Sequence, residues 1–231
     1  MAKAANISKQ NGFSLIELMV VLVIIAIFVS ISLFFYEGHR SLYRPDEIAL
    51  QVTDLFQEAR QRALTQRETM RVEIDVTRKV ANLIDENSAA TPDDDFVLRT
   101  ITLPDSSSVT VGTRPANIGY NPPEPLPVPN AVFTSSVYTP SFGNNACAFR
   151  FQRDGTVVNA GNNAIGTGAV SSGATLHIWS PAESDTSTSQ VARAITIIGS
   201  TGTIRMWEFD PALEETNKWK NSRRTGTYSG N

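Results

Sequence analysis

Hydrophobic positions along the chain fall into three stretches with different periods. Residues 13–36 read FSLIELMVVLVIIAIFVSISLFFY, an almost unbroken apolar run in which Glu17 is the single charge. Residues 45–70 repeat apolar side chains at helical spacing, and from about residue 71 short runs alternate between apolar and polar side chains. Alternation with a period of two is typical of β-strands. The pattern predicts an α+β protein, in which a long N-terminal helix packs on an antiparallel sheet.

The apolar run 13–36 is long enough to cross a membrane. As a helix rising about 1.5 Å per residue it would span roughly 36 Å, against a hydrocarbon core of about 30 Å. The preceding residues, 1–12, contain Lys3 and Lys9 and no acidic residue. This charge bias predicts a cytoplasmic N-terminus and export of the chain beyond residue 36. A plain signal anchor is one reading, and a cleaved secretory signal peptide fits less well because the run is long.

The segment 45–70 is predicted to be the second half of a stalk helix. Pro45 disfavours a helical conformation at Arg44 but suits the first turn of a new helix. Asp46 and Glu47 would lie in that first turn, where the helix dipole stabilises negative charge. One face of this helix is apolar and is expected to pack on the sheet, through Ile48, Val52, Leu55, Phe56, Ala59 and Ala63.

The alternating part, residues 71–210, predicts an antiparallel sheet. The predicted strands are residues 71–76, 79–84, 96–103, 109–111, 131–137, 147–152, 156–158, 175–179, 192–198 and 203–209. A two-residue connection at Thr77 and Arg78 is expected to join the first pair. The Pro-rich segment 117–129 cannot be a central strand and is read as an extended surface excursion. Residues 159–173 are read as a loop, and residues 211–231 as a flexible tail.

Composition excludes several classes of protein. Among 231 residues, 41% are hydrophobic, which argues against a wholly disordered chain, and a net charge of −3 gives no general case for nucleic-acid binding. The single cysteine, Cys147, excludes an internal disulfide and a cysteine-built metal site. With His39 and His177 as the only histidines and no recognisable nucleophile or phosphate motif, we expect no enzyme activity, cofactor or metal. The acidic triplet at residues 93–95 is read as a solvated loop.

The residues around the start of the apolar run carry a specific motif. G-F-S-L-I-E at residues 12–17, followed directly by the apolar run, resembles the N-terminus of type IV prepilins. The resemblance implies that a prepilin peptidase cuts between Gly12 and Phe13, that the new amine of Phe13 is methylated, and that Glu17 pairs with the N-terminal amine of a neighbouring subunit. It divides the chain into a leader (1–12), a membrane and filament-core helix (13–36) and an exported domain (37–231).

Glu17 also has a simpler interpretation. A carboxylate near the centre of a membrane helix costs about 2.5–3.5 kcal/mol and marks a functional candidate. At one turn from the helix start, however, it could lie at headgroup depth, where the helix dipole stabilises it by about 0.3–1 kcal/mol.

Three further segments resemble the GspH/FimT family of minor pseudopilins and minor pilins. Ala59, Arg60, Ala63 and Arg67 occupy the positions of its "ARxxAxxR" helix; residues 151–156 resemble its F-x-x-D/N-G hairpin, and residues 195–205 its closing hairpin. The resemblance implies an H-type minor pseudopilin of a type II secretion system, which supports protein export. Its implied partners are the prepilin peptidase, other pseudopilins or pilins, an inner-membrane assembly platform and the lipid bilayer, with the globular domain in the periplasm.

Two alternatives remain open at this point. One is a FimT-like minor pilin of a type IV pilus that contacts nucleic acid during DNA uptake. Its contacts would come from basic residues around an aromatic side chain, namely Arg205, Lys218, Trp219, Lys220, Arg223 and Arg224. The family's Gly-Arg-x-Arg motif is incomplete here, because Thr203 follows Gly202. The other alternative is an exported enzyme on a membrane anchor.

Overall fold

The computed structural model describes residues 13–86, 95–126, 128–159, 173–181, 191–213 and 217–221. The chain divides into two compact units, Met1–Arg40 and Ser41–Asn231. The first unit contains the apolar run. The second contains two antiparallel sheets packed with helical residues, so the α+β class predicted from the sequence is confirmed.

Helix α1 spans Leu15–Gln66 and contains Pro45. The expected interruption before Pro45 is therefore wrong, because Arg44 is helical. A proline inside a helix loses one backbone hydrogen bond, but the Pro45 ring is buried, and this burial offsets part of the cost. The helix ends at Gln66 rather than near residue 70, because Arg67 adopts a left-handed conformation with φ 59°.

The first sheet has the strand order β3-β2-β1-β6-β5, with β7 also paired to β6. Its strands are β1 (Thr69–Asp75), β2 (Val80–Glu86), β3 (Phe96–Thr102), β5 (Thr134–Ser135), β6 (Asn145–Phe151) and β7 (Val157–Asn159). The second sheet has the order β11-β10-β9-β8-β4. Its strands are β4 (Thr110–Gly112), β8 (Ala174–Trp179), β9 (Ala192–Ile198), β10 (Thr203–Phe209) and β11 (Trp219–Asn221).

One hydrophobic core joins helix α1 to both sheets. The six apolar residues predicted for the helix stripe, from Ile48 to Ala63, are all buried in it. The first sheet contributes side chains such as Val72 and Phe149, and the second contributes Leu176 and Ile195. The ring of Phe56 meets that of Phe149 edge-on, with centroids 5.2 Å apart. The core therefore occupies one face of each sheet, and each outer face needs its own cover.

Two connections differ from the sequence expectations. The turn between β1 and β2 covers four residues, Val76 to Lys79, rather than two, with Lys79 at φ 57°. Its geometry is set by the Asp75 carboxylate, which accepts the Arg78 backbone N–H at 2.7 Å. The expected strand at 131–137 shrinks to β5, because this segment passes between the sheets. The Ala131 N–H bonds to Thr175 of β8, whereas Thr134 pairs with Ala146 of β6.

The C-terminal expectation is also wrong in its described part. Residues 219–221 form β11 at the edge of the second sheet, where Phe209 pairs with Trp219. Trp219 is only 4% exposed, because it packs with Trp207 and Ile118 on the outer face of that sheet. Three residues of a short strand carry too little pattern to be recognised from sequence, which is why this segment was expected to be a flexible tail.

Candidate functional site

The N-terminal end of α1 is closed by a capping box. Phe13 and Ser14 precede the helix, which begins at Leu15. The Ser14 hydroxyl accepts the Ile16 backbone N–H at 3.2 Å, and the Glu17 carboxylate accepts the Ser14 backbone N–H at 3.1 Å. This S-x-x-E arrangement satisfies backbone donors that a helix start otherwise leaves unpaired.

Glu17 is thus given a partner within its own chain, which the sequence interpretation had not identified. The signal was available, because Ser at the cap and Glu three residues later form a known helix-start pattern. A carboxylate has two oxygens and about four acceptor sites. Glu17 can therefore cap the helix and still accept a hydrogen bond from a cationic amine.

The segment after the cap is apolar and exposed on all sides. Leu15–Leu33 has a mean hydropathy of 2.9 over its best window, and none of that window is buried within the chain. Its 19 residues would span about 28 Å as a helix. Near its end, the Ser30 hydroxyl bonds to the Ala26 carbonyl at 2.8 Å, so this hydroxyl is satisfied without water. Length and composition are consistent with membrane anchoring.

The three segments that resemble the GspH/FimT family come together at one end of the second unit. Ala59 and Ala63 are fully buried in the core. Arg60 turns the other way and donates to the Thr201 carbonyl in the turn between β9 and β10, at 3.2 Å. The "ARxxAxxR" pattern therefore combines two buried packing positions with one hydrogen bond to a turn that is distant in sequence.

The two hairpin turns touch through glycines. Gly155 and Gly202 both have positive φ, 85° and 60°. A Cβ added at Gly202 would lie 2.2 Å from the Gly155 carbonyl oxygen, so a side chain there is excluded by backbone. The Val157 N–H bonds to the Gly199 carbonyl at 2.7 Å and joins the first sheet to the second. We call this contact of α1 with the two turns the hairpin junction.

The residues proposed to contact nucleic acid are engaged within the fold. Arg205 pairs with the buried Glu124 carboxylate at 2.5 Å. Lys218 donates to the Pro211 carbonyl at 2.9 Å, and Lys220 lies 3.1 Å from the Asp210 carboxylate. The Trp219 indole N–H donates to the Tyr120 carbonyl at 2.8 Å. The structure brings these residues together at the second sheet but leaves Trp219 no exposed face for base stacking; Arg223 and Arg224 lie outside the described residues.

The Pro-rich segment, read as a surface excursion, is anchored on the outer face of the second sheet. Glu124, the only charge between residues 115 and 129, has a side chain only 1% exposed. Its carboxylate accepts the Trp207 indole N–H at 3.1 Å and the Thr196 hydroxyl, besides pairing with Arg205. Sequence reasoning missed this residue, because a single Glu among prolines gives no periodic signal.

Cys147 and His177 are buried and uncharged in this fold. Burial raises the pKa of the Cys147 thiol to about 12 and lowers that of His177 to about 3, aided by Arg114, so both stay neutral near pH 7. Among the described residues, no group of three or more His, Cys, Asp or Glu side chains could hold a metal ion. Asp95 is not solvated as expected but lies 2.9 Å from Arg71; Asp93 and Asp94 lie outside the described residues.

Residues 7–33 match the family model described as the prokaryotic N-terminal methylation motif. Among solved structures, the chain is similar to the minor pseudopilin EpsH from the type 2 secretion system of Vibrio cholerae, with 14% sequence identity and a TM-score of 0.39. That similarity covers 71% of this chain and 97% of the other. A search of curated proteins finds no match. The prepilin-type motif identified at residues 12–17 is thus confirmed.

Proposed function

We propose that this protein is an H-type minor pseudopilin, a structural subunit of a type II secretion pseudopilus that supports protein export across the outer membrane. The observation that carries the proposal is the methylation motif at residues 7–33, which overlaps the apolar helix Leu15–Leu33. Proteins with this N-terminus are in general structural subunits rather than enzymes. The neutral, buried states of Cys147 and His177 agree with a non-catalytic role.

In this proposal the N-terminal residues act in sequence. A prepilin peptidase cuts between Gly12 and Phe13, and the amine of Phe13 is methylated. The apolar helix first holds the subunit in the inner membrane, with the globular domain in the periplasm, and then enters the filament. Glu17 caps its own helix in the free subunit and pairs with the amine of a neighbouring subunit after assembly. The direct partners are therefore the peptidase, other pseudopilins, the inner-membrane assembly platform and the bilayer.

The internal pairing of the basic residues favours secretion over DNA uptake. A DNA-binding surface needs cations that are free to neutralise phosphates. Arg205 is held by Glu124, and Lys220 lies between Glu208 and Asp210. Filter binding of single-stranded DNA to the purified protein at 50 mM salt should therefore give no affinity above that of a neutral control protein.

N-terminal mass spectrometry of the membrane-extracted protein tests the processing step. We expect a chain that begins at methylated Phe13. Gly12→Leu should block the cut, because a branched side chain replaces the small residue at the scissile bond. A mature Phe13 terminus in that variant, or an intact Met1 leader in the wild type alongside an active peptidase, would contradict the assignment.

Replacement of Glu17 separates its two proposed roles. Glu17→Gln keeps an oxygen that can accept the Ser14 N–H, but it removes the charge needed to pair with an amine. We expect this variant to fold and reach the membrane at wild-type levels while its recovery in sheared filaments falls at least tenfold. Glu17→Ala serves as the control that removes both roles. Normal recovery of the Gln variant would refute amine pairing.

A further inference from the structure

The outer face of the first sheet is closed by a buried group of four charged side chains and one tyrosine, which we call the ionic cluster: Arg71, Arg150, Glu86, Asp95 and Tyr138. Both arginine guanidinium groups lie on the Tyr138 ring, at 4.8 and 4.7 Å from its centroid. Glu86 bridges them, accepting the Arg150 Nε–H at 2.7 Å and an N–H of Arg71. Asp95 lies 2.9 Å from Arg71. Two cations thus face two carboxylates, so the cluster is electrically balanced.

Glu73 is buried next to this cluster without a cation of its own. Its side chain is 0% exposed, and its nearest guanidinium contact is Arg71 Nε at 3.9 Å from Oε2. Among the described residues, Oε2 has no hydrogen-bond partner, whereas Oε1 accepts the Ser136 hydroxyl at 2.7 Å. A fully ionised carboxylate in this position would add a third anion to the two that already balance Arg71 and Arg150, next to the fully buried Asp75, which is costly.

The cover over Glu73 is a single loop, residues 136–144. It is closed on itself by backbone bonds between Ser136 and residues 143 and 144. The sheet holds it through Arg71, which donates to the Thr139 carbonyl at 2.6 Å, and through Asp75, which accepts the Asn144 amide at 2.8 Å. Ser141 of the same loop is fully buried. Glu73 is fully buried and bonds to the first residue of this loop, Ser136.

We propose that Glu73 is a proton-binding site that controls closure of the 136–144 loop. With the proton bound, the cluster is neutral and the loop lies closed on the sheet. When the proton leaves to solvent, the ionised carboxylate is hydrated by opening of the loop, while the remaining cluster keeps its own ion pairs. The loop carries two exposed apolar side chains, Val137 (45% exposed) and Phe142 (73% exposed). Their positions therefore also depend on whether Glu73 is protonated.

The surrounding charges determine the direction of the effect. Arg71 and Asp75 flank Glu73 on β1, Glu86 lies on β2, Asp95 just before β3, Arg150 on β6, and Tyr138 on the loop. Burial raises the pKa of Glu73 above its usual value near 4.5, and Asp75 adds to this, whereas Ser136, Arg71 and Ser141 oppose it. Because the folded state binds the proton more tightly than the unfolded state, stability falls as pH rises from about 4.5 through the folded pKa.

The test compares the full-length protein with Glu73→Gln and Glu86→Gln in detergent between pH 4.5 and 8.5. Hydrogen exchange at residues 136–144, corrected for the intrinsic rate, reports loop opening. In the wild type we expect opening to increase up to tenfold per pH unit above the folded pKa, the limit for one proton. Glu73→Gln should keep the loop closed at every pH. Glu86→Gln should weaken the pH dependence of opening, since an ionised Glu73 would then be one of two carboxylates facing two guanidinium groups.

Two results would overturn the proposal. One is a wild-type loop whose corrected exchange does not change with pH, and the other is a Glu73→Gln variant with the same pH profile as the wild type. If the Gln variant does not fold, the carbon-13 shift of the Glu73 carboxyl, titrated in the wild type, decides instead. A shift that shows an ionised carboxylate throughout this range excludes the protonated state.

Discussion

The two sheets solve the same packing problem with opposite chemistry. Each turns one face to the core shared with helix α1 and needs a cover for the other. The first sheet is covered by a loop held through charges, with the guanidinium groups of Arg71 and Arg150 stacked on Tyr138. The second is covered by the Pro-rich segment, whose Ile118 forms an apolar cluster with Trp207 and with Trp219 of the edge strand β11.

The difference lies in how each cover responds to a single change. Charged groups in a buried cluster depend on one another, because removing one partner leaves the others desolvated and unpaired. In an apolar cluster the loss scales with the area and volume removed. The one charge in the Pro-rich segment, Glu124, is an exception on this otherwise apolar face, because Arg205 and Trp207 both donate to its buried carboxylate. The first cover should therefore be the more sensitive one.

The largest effect is expected from Arg71→Met. Methionine fills much of the space but removes the Arg71 donor from Glu86, Asp95 and the Thr139 carbonyl, and leaves Glu86 with Arg150. We expect the free energy of unfolding to fall by about 3–5 kcal/mol, measured by denaturant titration at pH 7. The matched control is Arg99→Met, whose side chain is 41% exposed in its pairs with Asp54 and Glu58 and should cost less than about 1 kcal/mol. Equal losses in the two variants would contradict the distinction.

A smaller loss is expected from Trp219→Ala on the second sheet. Removing the indole empties the centre of the apolar cluster and breaks its bond to the Tyr120 carbonyl, so we expect a loss of about 3 kcal/mol. Hydrogen exchange should also show that β11 has lost its protection. The neighbouring Lys220→Ala, which removes only partly exposed ion pairs, should change stability by less than about 1 kcal/mol. A Trp219 variant as stable as the Lys220 variant would show that β11 does not seal the sheet.

Lowering the pH should destabilise the second sheet through His177, and this is the smallest of the three effects when it is expressed per pH unit. Burial lowers the pKa of His177 to about 3, whereas in the unfolded chain it is near 6.5. Its contribution to stability is complete above pH 6.5 and is lost as pH falls toward 3, by up to about 1.4 kcal/mol per pH unit. This is opposite in sign to the effect of Glu73. In His177→Phe, the unfolding free energy should depend less steeply on pH between pH 6.5 and 4.5. An unchanged slope would show that a group other than His177 binds the proton.

The sequence was sufficient for the elements that contribute to the shared core. Strands β9 and β10 have the predicted bounds, and the helix stripe from Ile48 to Ala63 is buried as expected. Burial of one face of an element produces a periodic hydrophobic pattern that can be recognised in the sequence. The same periodicity shows that β1 has a polar face, with Arg71, Glu73 and Asp75 at alternate positions. It cannot show that a loop more than 60 residues away covers that face.

The two groups of candidate site residues, the N-terminal motif and the basic residues near the C-terminus, could be predicted to different degrees. The N-terminal motif is contiguous, so residues 12–17 could be recognised from order alone. The contacts of Arg205 and Trp219 depend on Glu124 and Tyr120, which are 81 and 99 residues away. Such pairings follow from tertiary packing, and no local propensity encodes them. The expectation of a flexible tail is therefore wrong for residues 219–221, where Trp219 is buried and Lys220 pairs with Glu208 and Asp210.

The hairpin junction also has a consequence for the order of folding. Arg60 and Thr201 are 141 residues apart, so their contact closes a very long loop, and the entropy cost of this closure is met only once other contacts exist. The hairpins β6–β7 and β9–β10 have short turns and can form locally. The junction then joins two pre-formed halves late in folding, and the close approach of Gly155 and Gly202 admits only one alignment of those halves.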